Sequence, residues 1–471
     1  MAKRYSGAYI KGSDAGRGNN LRGAEAEAFL EKVFEELGYH LGTSYFRQIR
    51  VPYLSPERYR KISAAYSLSK RTFRESFKEK QISFKDPMDY FWESGGPNIQ
   101  EDFALGSSSC DHNGIHTIIS VTQANPDKPG HSIENKLHQA LGELYLHKIY
   151  NPKCRSILFI GGEGAGWASK AQFKNHGCSY VLRTFELFFD DVVYAWDNNP
   201  RKRIKQALEC NLRNINFWKD EKIRAESINL DTDRTNIPNK NLREEFISNV
   251  LFPLAERRIH AITQITNPVA RFMIECSLKS NRHFFDKVIN NDRVGIETDR
   301  GFNNAPEAAI CLLLNKAGLK YSSEMENAKA AVKVRENLLY HLGFKNMHRH
   351  TDFILKGKDG LPVYIESKSA GGGFEGGHKH ITDRAREQIA RSLLHRTTLK
   401  DGEIQSNPQH YHWIFILDAD WHTPDLYPHK FVHILQLAGA ERWFSARELL
   451  DDNYTINNNC AFLNYIKKLC I

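Results

Sequence analysis

The sequence predicts an α/β protein built as two α/β/α domains joined by a helical linker. Three observations carry this reading. The chain has 471 residues, more than one ordinary core accommodates. An amphipathic helix cadence occurs twice, and behind each copy runs the same series of strand, helix and strand patterns. The expected bounds are 1–200 for the first domain, 201–295 for the linker and 296–471 for the second. Apolar residues at 41 % and charged residues at 26 % are those of an ordinary globular chain, which excludes disordered and fibrous classes.

Residues 1–20 are polar and glycine-rich, and read as an arm before the first regular element. A helix follows from near Gly23: Phe29, Leu30, Val33, Phe34 and Leu37 fall on one face, and Gly38 is a C-terminal stop. An insert from about Ser55 to Lys85 mixes basic and aromatic residues. It reads either as a solvated helix with its aromatics turned inward or as a phosphate-tracking surface, with Arg71 and Lys78 as candidate DNA contacts. Asp111 then precedes a strand Thr117 to Gln123, a Pro/Gly loop, a helix from about Ile133 to Ile149 and a strand Ser156 to Ile160. From about Pro200 to Arg300 the pattern is helical and charged, which marks the linker or a DNA-contacting insert.

The helix cadence returns in Glu307 to Gly318, with the same eleven-residue interval from Glu to Gly as Glu27 to Gly38. Asp352-Phe-Ile-Leu, a Lys-Gly-Lys-Asp-Gly turn and Val363 to Lys368 read as a β-hairpin. A glycine-rich loop from Gly371 to Gly377, a helix from about Ile381 to Arg396 and a buried strand Trp413 to Leu417 complete the series.

The chemistry lies in the hairpin. Glu366 and Lys368 are separated by one residue, so on a strand both project to the same side, and pairing across the turn brings Asp352 to that side too. Phosphodiester hydrolysis needs a hard divalent cation to neutralise the phosphate and activate water, and Mg²⁺ prefers carboxylate oxygens. Asp352 and Glu366 are the expected metal ligands, and Lys368 the group that orients the water or stabilises the transition state. Asp418 and Asp420, at the end of the Trp413 strand, are rival ligands, although strand-end aspartates more often form turns.

These residues resemble the PD-(D/E)xK nuclease superfamily, whose core is a helix, a hairpin bearing D…(D/E)xK, a second helix and a further strand. Here the motif reads Thr351-Asp352, then Glu366-Ser367-Lys368, with 14 positions from Asp to Glu. Thr351 stands where the family name has proline. The resemblance covers roughly residues 296–420. It implies that Glu307 matches the glutamate that members place on the preceding helix near the metal. It also implies that Gln388, with Arg384 or Arg391, lines the site from the following helix and holds phosphate or a metal-bound water. The pairing of domains looks similar to bacterial type II restriction endonucleases, so both domains are expected to be restriction-endonuclease-like. The first is degenerate, because its strand offers Val121-Thr122-Gln123 in place of ExK, and it is expected to recognise DNA without cutting. Glu134-Asn135-Lys136 looks like a displaced ExK but reads as a first helical turn. The resemblance implies Mg²⁺, with Mn²⁺ as a substitute, double-stranded DNA as substrate, a homodimer or two binding events to cut both strands, a cognate DNA methyltransferase in the host, and a bacterial cytoplasmic location.

Bulk properties agree with a polyanionic partner: 65 Lys and Arg against 56 Asp and Glu leave a formal charge of +9. The eight cysteines show no zinc spacing, and no apolar run reaches membrane-spanning length. Two further readings stay open. A structure-selective repair or junction nuclease reads DNA shape in place of sequence, and an inactive DNA-binding protein has a silent C-terminal site.

Overall fold

The computed structural model describes residues 24–67, 88, 91–92, 96–107, 114–123, 131–162, 179–232, 242–280, 283–292, 305–323, 325–326, 332–345, 348–369, 377–418, 427 and 429–471. The protein is mixed α/β, with two compact units. The first comprises Met1–Ile228, Asn337–Asn346 and Arg386–Asn407; the second comprises Asn229–Glu336, Met347–Ala385 and Pro408–Ile471.

In the first unit a helix over 24–36 precedes strands β1 (Tyr45–Pro52), β2 (Asn98–Gly106) and β3 (Ile115–Gln123). The helix His131–Tyr150 leads to β4 (Arg155–Gly161), and the helix Ser179–Phe188 to β5 (Asp191–Tyr194). The sheet runs β1-β2-β3-β4-β5, antiparallel in its first two pairings and parallel in its last two. The parallel pairings follow from the helical crossovers, since parallel neighbours cannot be joined by a tight turn. Alternate residues Phe103, Leu105, Ile119, Ile157 and Phe159 meet Leu30, Val33 and Phe34 of the first helix in one core.

In the second unit the helix Ala305–Lys316 precedes β6 (Tyr321–Ser323), a small antiparallel pair β7 (Lys333–Arg335) and β8 (His348–His350), then β9 (Phe353–Lys356) and β10 (Pro362–Ser369). The division into units falls within the next helix, Gly377–Arg396. After it come the hairpin β11 (Thr397–Lys400) and β12 (Glu403–Ser406), grouped with the first unit, then β13 (His412–Asp418), the helix Lys430–Ala438 and β14 (Arg442–Ser445). The sheet order is β6-β9-β10-β13-β14, again antiparallel twice and then parallel twice. The two sheets therefore match strand for strand. The helices ahead of them end alike, at Gly38 with φ +86° and Gly318 with φ +69°, left-handed positions that favour glycine.

The stretch 201–295 is helical, as expected, but it does not stand as a separate linker. Ile204, Ala207 and Leu208 belong to the core of the first sheet. Leu242, Phe246, Val269, Met273 and Ile274 belong to the core that holds Phe353 and Ile365 of the second. The physical reason is amphipathicity: Val269, Ala270, Met273 and Ile274 line one helical face that is stable only when covered.

A buried charge cluster secures the first unit. On the helix Ile215–Ser227, Glu221 accepts from Arg396 Nη2 at 2.6 Å, Arg396 Nε at 3.2 Å, Arg224 Nε at 3.1 Å and Ser406 Oγ at 2.6 Å. Burial alone raises such a carboxyl, yet the Arg396 and Arg224 guanidiniums outweigh it and hold Glu221 down at about 2. Among the described residues no helix is long and apolar enough to cross a membrane.

Candidate active site

β9 and β10 pair in antiparallel register, Phe353 with Ile365 and Leu355 with Val363. Val363 and Ile365 enter the core with Phe353 and Leu355, so the alternation of strand side chains turns Tyr364, Glu366 and Lys368 to the other face. One step beyond the last pair, the register sets Asp352 opposite Glu366. The Ser367 backbone N–H donates to Asp352 Oδ2 at 2.6 Å and fixes that carboxylate. Lys368 Nζ lies 2.7 Å from Glu366 Oε2 and 3.5 Å from Asp352 Oδ2. The three side chains meet in one small volume.

Exposure is graded across the group. The Glu366 side chain is fully buried, whereas Lys368 is 15 % and Asp352 24 % exposed, so one carboxylate forms the floor and the other opens to solvent. β10 is held on both flanks, by β9 and by β13, where Glu366 pairs with Phe415 and Lys368 with Leu417. A strand bonded on both sides positions its side chains more rigidly than a loop does.

Two carboxylates and one ammonium carry a net charge of −1, which a divalent cation reverses. Among the described residues no three His, Cys, Asp or Glu side chains converge to hold a metal by themselves. Asp352 and Glu366 are the two carboxylates here that could hold a divalent cation, with water in its remaining positions, the way Mg²⁺ is usually bound.

Compared with known proteins, the chain matches no family model, no curated protein and no solved structure. The reading of this site rests on its geometry.

The other expected site residues are placed as follows. Glu307 is half-buried in the first turn of the helix Ala305–Lys316, whose apolar side shares the core with Val363 and Ile365, on the sheet face away from Glu366. Arg384 is half-buried on the helix Gly377–Arg396. Gln388 and Arg391 lie on the part of that helix grouped with the first unit; Gln388 is buried and Arg391 pairs with Glu387. Arg71, Lys78, Asp111 and Asp420 lie outside the described residues. Asp418 is a cap: its carboxylate accepts from the backbone N–H of Leu242 at 2.6 Å and of Arg243 at 3.3 Å, at the start of the helix Leu242–Phe246. Burial pushes its carboxyl up to about 7. Asp418→Ala is expected to lower unfolding free energy by about 1 kcal/mol, the usual cost of a lost cap, and to leave divalent-cation affinity unchanged. Urea denaturation and a cation titration check the two halves; weakened cation binding makes Asp418 a ligand after all.

Sequence reasoning did not find Arg349. This buried guanidinium lies 5.5 Å from the Tyr364 ring and 5.3 Å from the Trp413 ring, and among the described residues its nitrogens have no hydrogen-bond partner. Tyr364 sits two residues before Glu366 on the same face, so aromatic rings hold a second cation alongside Lys368 on that side of the sheet.

The first sheet repeats the site's frame with other residues. Phe103 pairs with Ile119 as Phe353 does with Ile365, which sets Asp102 opposite Ser120. The Val121 N–H donates to Asp102 Oδ2 at 2.6 Å, the same bond and length as Ser367 to Asp352. Ser120 and Thr122 stand where Glu366 and Lys368 do, and Asp102, not Asp111, is the counterpart of Asp352. The signal for this was a repeated Asp-Phe-x-Leu, at 102–105 and 352–355. Burial is the main reason that Asp102 is pushed up to about 6. A cavity of about 550 Å³ in the same unit is lined by Arg58, His116 and Lys222, but Arg58 is committed to the Ala225 and Ile228 carbonyls and Lys222 to that of Tyr150.

Proposed function

We propose that the protein is a magnesium-dependent endonuclease of double-stranded DNA, a type II restriction enzyme of the PD-(D/E)xK kind. In this reading both sheets belong to restriction-endonuclease-like α/β/α domains. The second cuts, and the first, with Ser120 and Thr122 in the motif positions, recognises DNA. The observation that carries the proposal is the convergence of Lys368 Nζ on both Glu366 and Asp352, at 2.7 and 3.5 Å.

Asp352 and Glu366 hold Mg²⁺, or Mn²⁺ in its place. A cation held there would neutralise the scissile phosphate and lower the pKa of water. Asp352, fixed by the Ser367 amide and partly exposed, presents its carboxylate to the entering ion and DNA. Lys368 holds the attacking water and stabilises charge on the phosphate. One such centre per chain cuts one strand, so a double-strand break takes a homodimer or two binding events. The function further implies a cognate methyltransferase and the bacterial cytoplasm as the place of action. The surplus of positive charge supports a polyanionic substrate.

Incubation with a defined plasmid and Mg²⁺ tests the proposal. Discrete fragments are the expected outcome. A smear or nicked circles favours a structure-selective nuclease, and intact plasmid under all divalent cations leaves a DNA-binding protein.

A further inference from the structure

We infer that the first unit carries a second site for a hard divalent cation, between the carboxylates of Asp102 and Glu101. The inference rests on the match between the two sheets and not on cleavage by the C-terminal centre.

Asp102 is posed as Asp352 is, by the same strand register and by a backbone N–H at the same 2.6 Å. The second carboxylate comes from elsewhere. In the C-terminal site it is Glu366; here that position is Ser120, whose hydroxyl donates to Glu101 Oε2 at 3.0 Å. Glu101 thus brings an acid from the neighbouring strand to the place that the short serine leaves open. Glu101 is held by the Ser120 hydroxyl and Asp102 by the Val121 backbone N–H, and the Asp102 charge acts on Glu101.

A further observation points to a ligand. Glu101 is 2 % exposed, and among the described residues its buried Oε1 has no hydrogen-bond partner. Among the described residues neither Glu101 nor Asp102 forms a salt bridge. In the C-terminal site Lys368 supplies the counter-charge, but Thr122 stands in its place here. Lys136 acts on Asp102 only electrostatically, against Glu143 and Glu27, and Glu27 is itself paired with Arg47 at 2.8 Å. Arg386 acts on Glu101 only electrostatically and is itself paired with Glu143, so buried Glu101 and half-buried Asp102, when ionised, are costly side by side, and a cation between them relieves that cost.

The donors are carboxylate and hydroxyl oxygens, which suit Mg²⁺ or Mn²⁺ better than softer metals. Two carboxylates with water completing the shell are enough for Mg²⁺. Without a lysine at position 122, this site holds a cation but lacks the group assigned to water activation in the C-terminal centre. It suits gripping a phosphate without cutting it.

Titration of the full chain with Mn²⁺, followed by electron paramagnetic resonance, tests this. The wild type is expected to bind two ions. The isosteric pair Glu101→Gln and Asp102→Asn is expected to bind one, and Asp352→Asn with Glu366→Gln also one. Retention of both ions by the first pair overturns the inference, as does a wild type whose single ion disappears with the second pair. Loss of an ion with the first pair alone upholds this site while contradicting the C-terminal one. Should the first pair fail to fold, wild-type crystals grown with Mn²⁺ decide: an anomalous peak between Asp102 and Glu101 supports the site, and a peak only at Asp352 and Glu366 overturns it.

Discussion

Lys368→Ala is expected to slow Mg²⁺-dependent plasmid cleavage by a factor on the order of 10²–10³, the usual effect of removing one group that stabilises developing charge. The ammonium lies 2.7 Å from Glu366 and 3.5 Å from Asp352, the two carboxylates proposed to hold the cation. The same substitution carries a second consequence. Glu366 is fully buried, and removing the partner of a buried charge costs about 3–5 kcal/mol. A loss of activity alone is therefore ambiguous, and thermal melting separates the two effects. If Asp352 and Glu366 hold Mg²⁺, the ion offsets the missing ammonium, so it is expected to raise the Tm of Lys368→Ala more than that of the wild type. A variant that melts as the wild type does, gains nothing from Mg²⁺ and cleaves at full rate contradicts the assignment.

Glu221→Ala is expected to lower unfolding free energy by about 3–5 kcal/mol, since it leaves the buried Arg396 guanidinium without its carboxylate. The pH dependence has a definite sign. The ordinary carboxyl value is 4.5 and the folded value about 2, so the unfolded chain binds the proton more tightly. The Glu221 contribution is therefore complete above about 4.5 and is lost as pH falls toward 2. Urea denaturation across that window is expected to show the wild type weakening with acid more steeply than Glu221→Gln. Equal slopes contradict a depressed Glu221.

Much of the C-terminal site was legible in the sequence, because its signals are local. The spacing Glu366-x-Lys368 places two side chains on one strand face whatever the rest of the fold does, and the turn at Lys356 to Gly360 constrains the pairing with Asp352. The strands Ser156 to Ile160 and Trp413 to Leu417 were clear from continuous apolar runs and are found as β4 and β13. The strands Tyr45–Pro52 and Asn98–Gly106 were not legible. They carry Arg47, Arg50, Glu101 and Asp102, and charged residues are poor strand signals. With β2 hidden, the counterpart of Asp352 could not be placed. The apparent linker misled for a related reason: an amphipathic helix shows that it has an apolar face but not which sheet covers it. Glu221 and Arg396, 175 residues apart, have no sequence signature, since a buried charge pair is defined only by the folded chain.

Asp352 and Glu366 are proposed to hold the cation through which DNA is cut. The most direct measurement is single-turnover plasmid cleavage by the wild type, Asp352→Asn and Glu366→Gln, each shown to be folded, in Mg²⁺ and in EDTA. Cleavage by the wild type only with Mg²⁺, and background rates for both variants, are the expected results. Cleavage by the folded variants at the wild-type rate, or by the wild type in EDTA, contradicts that proposal.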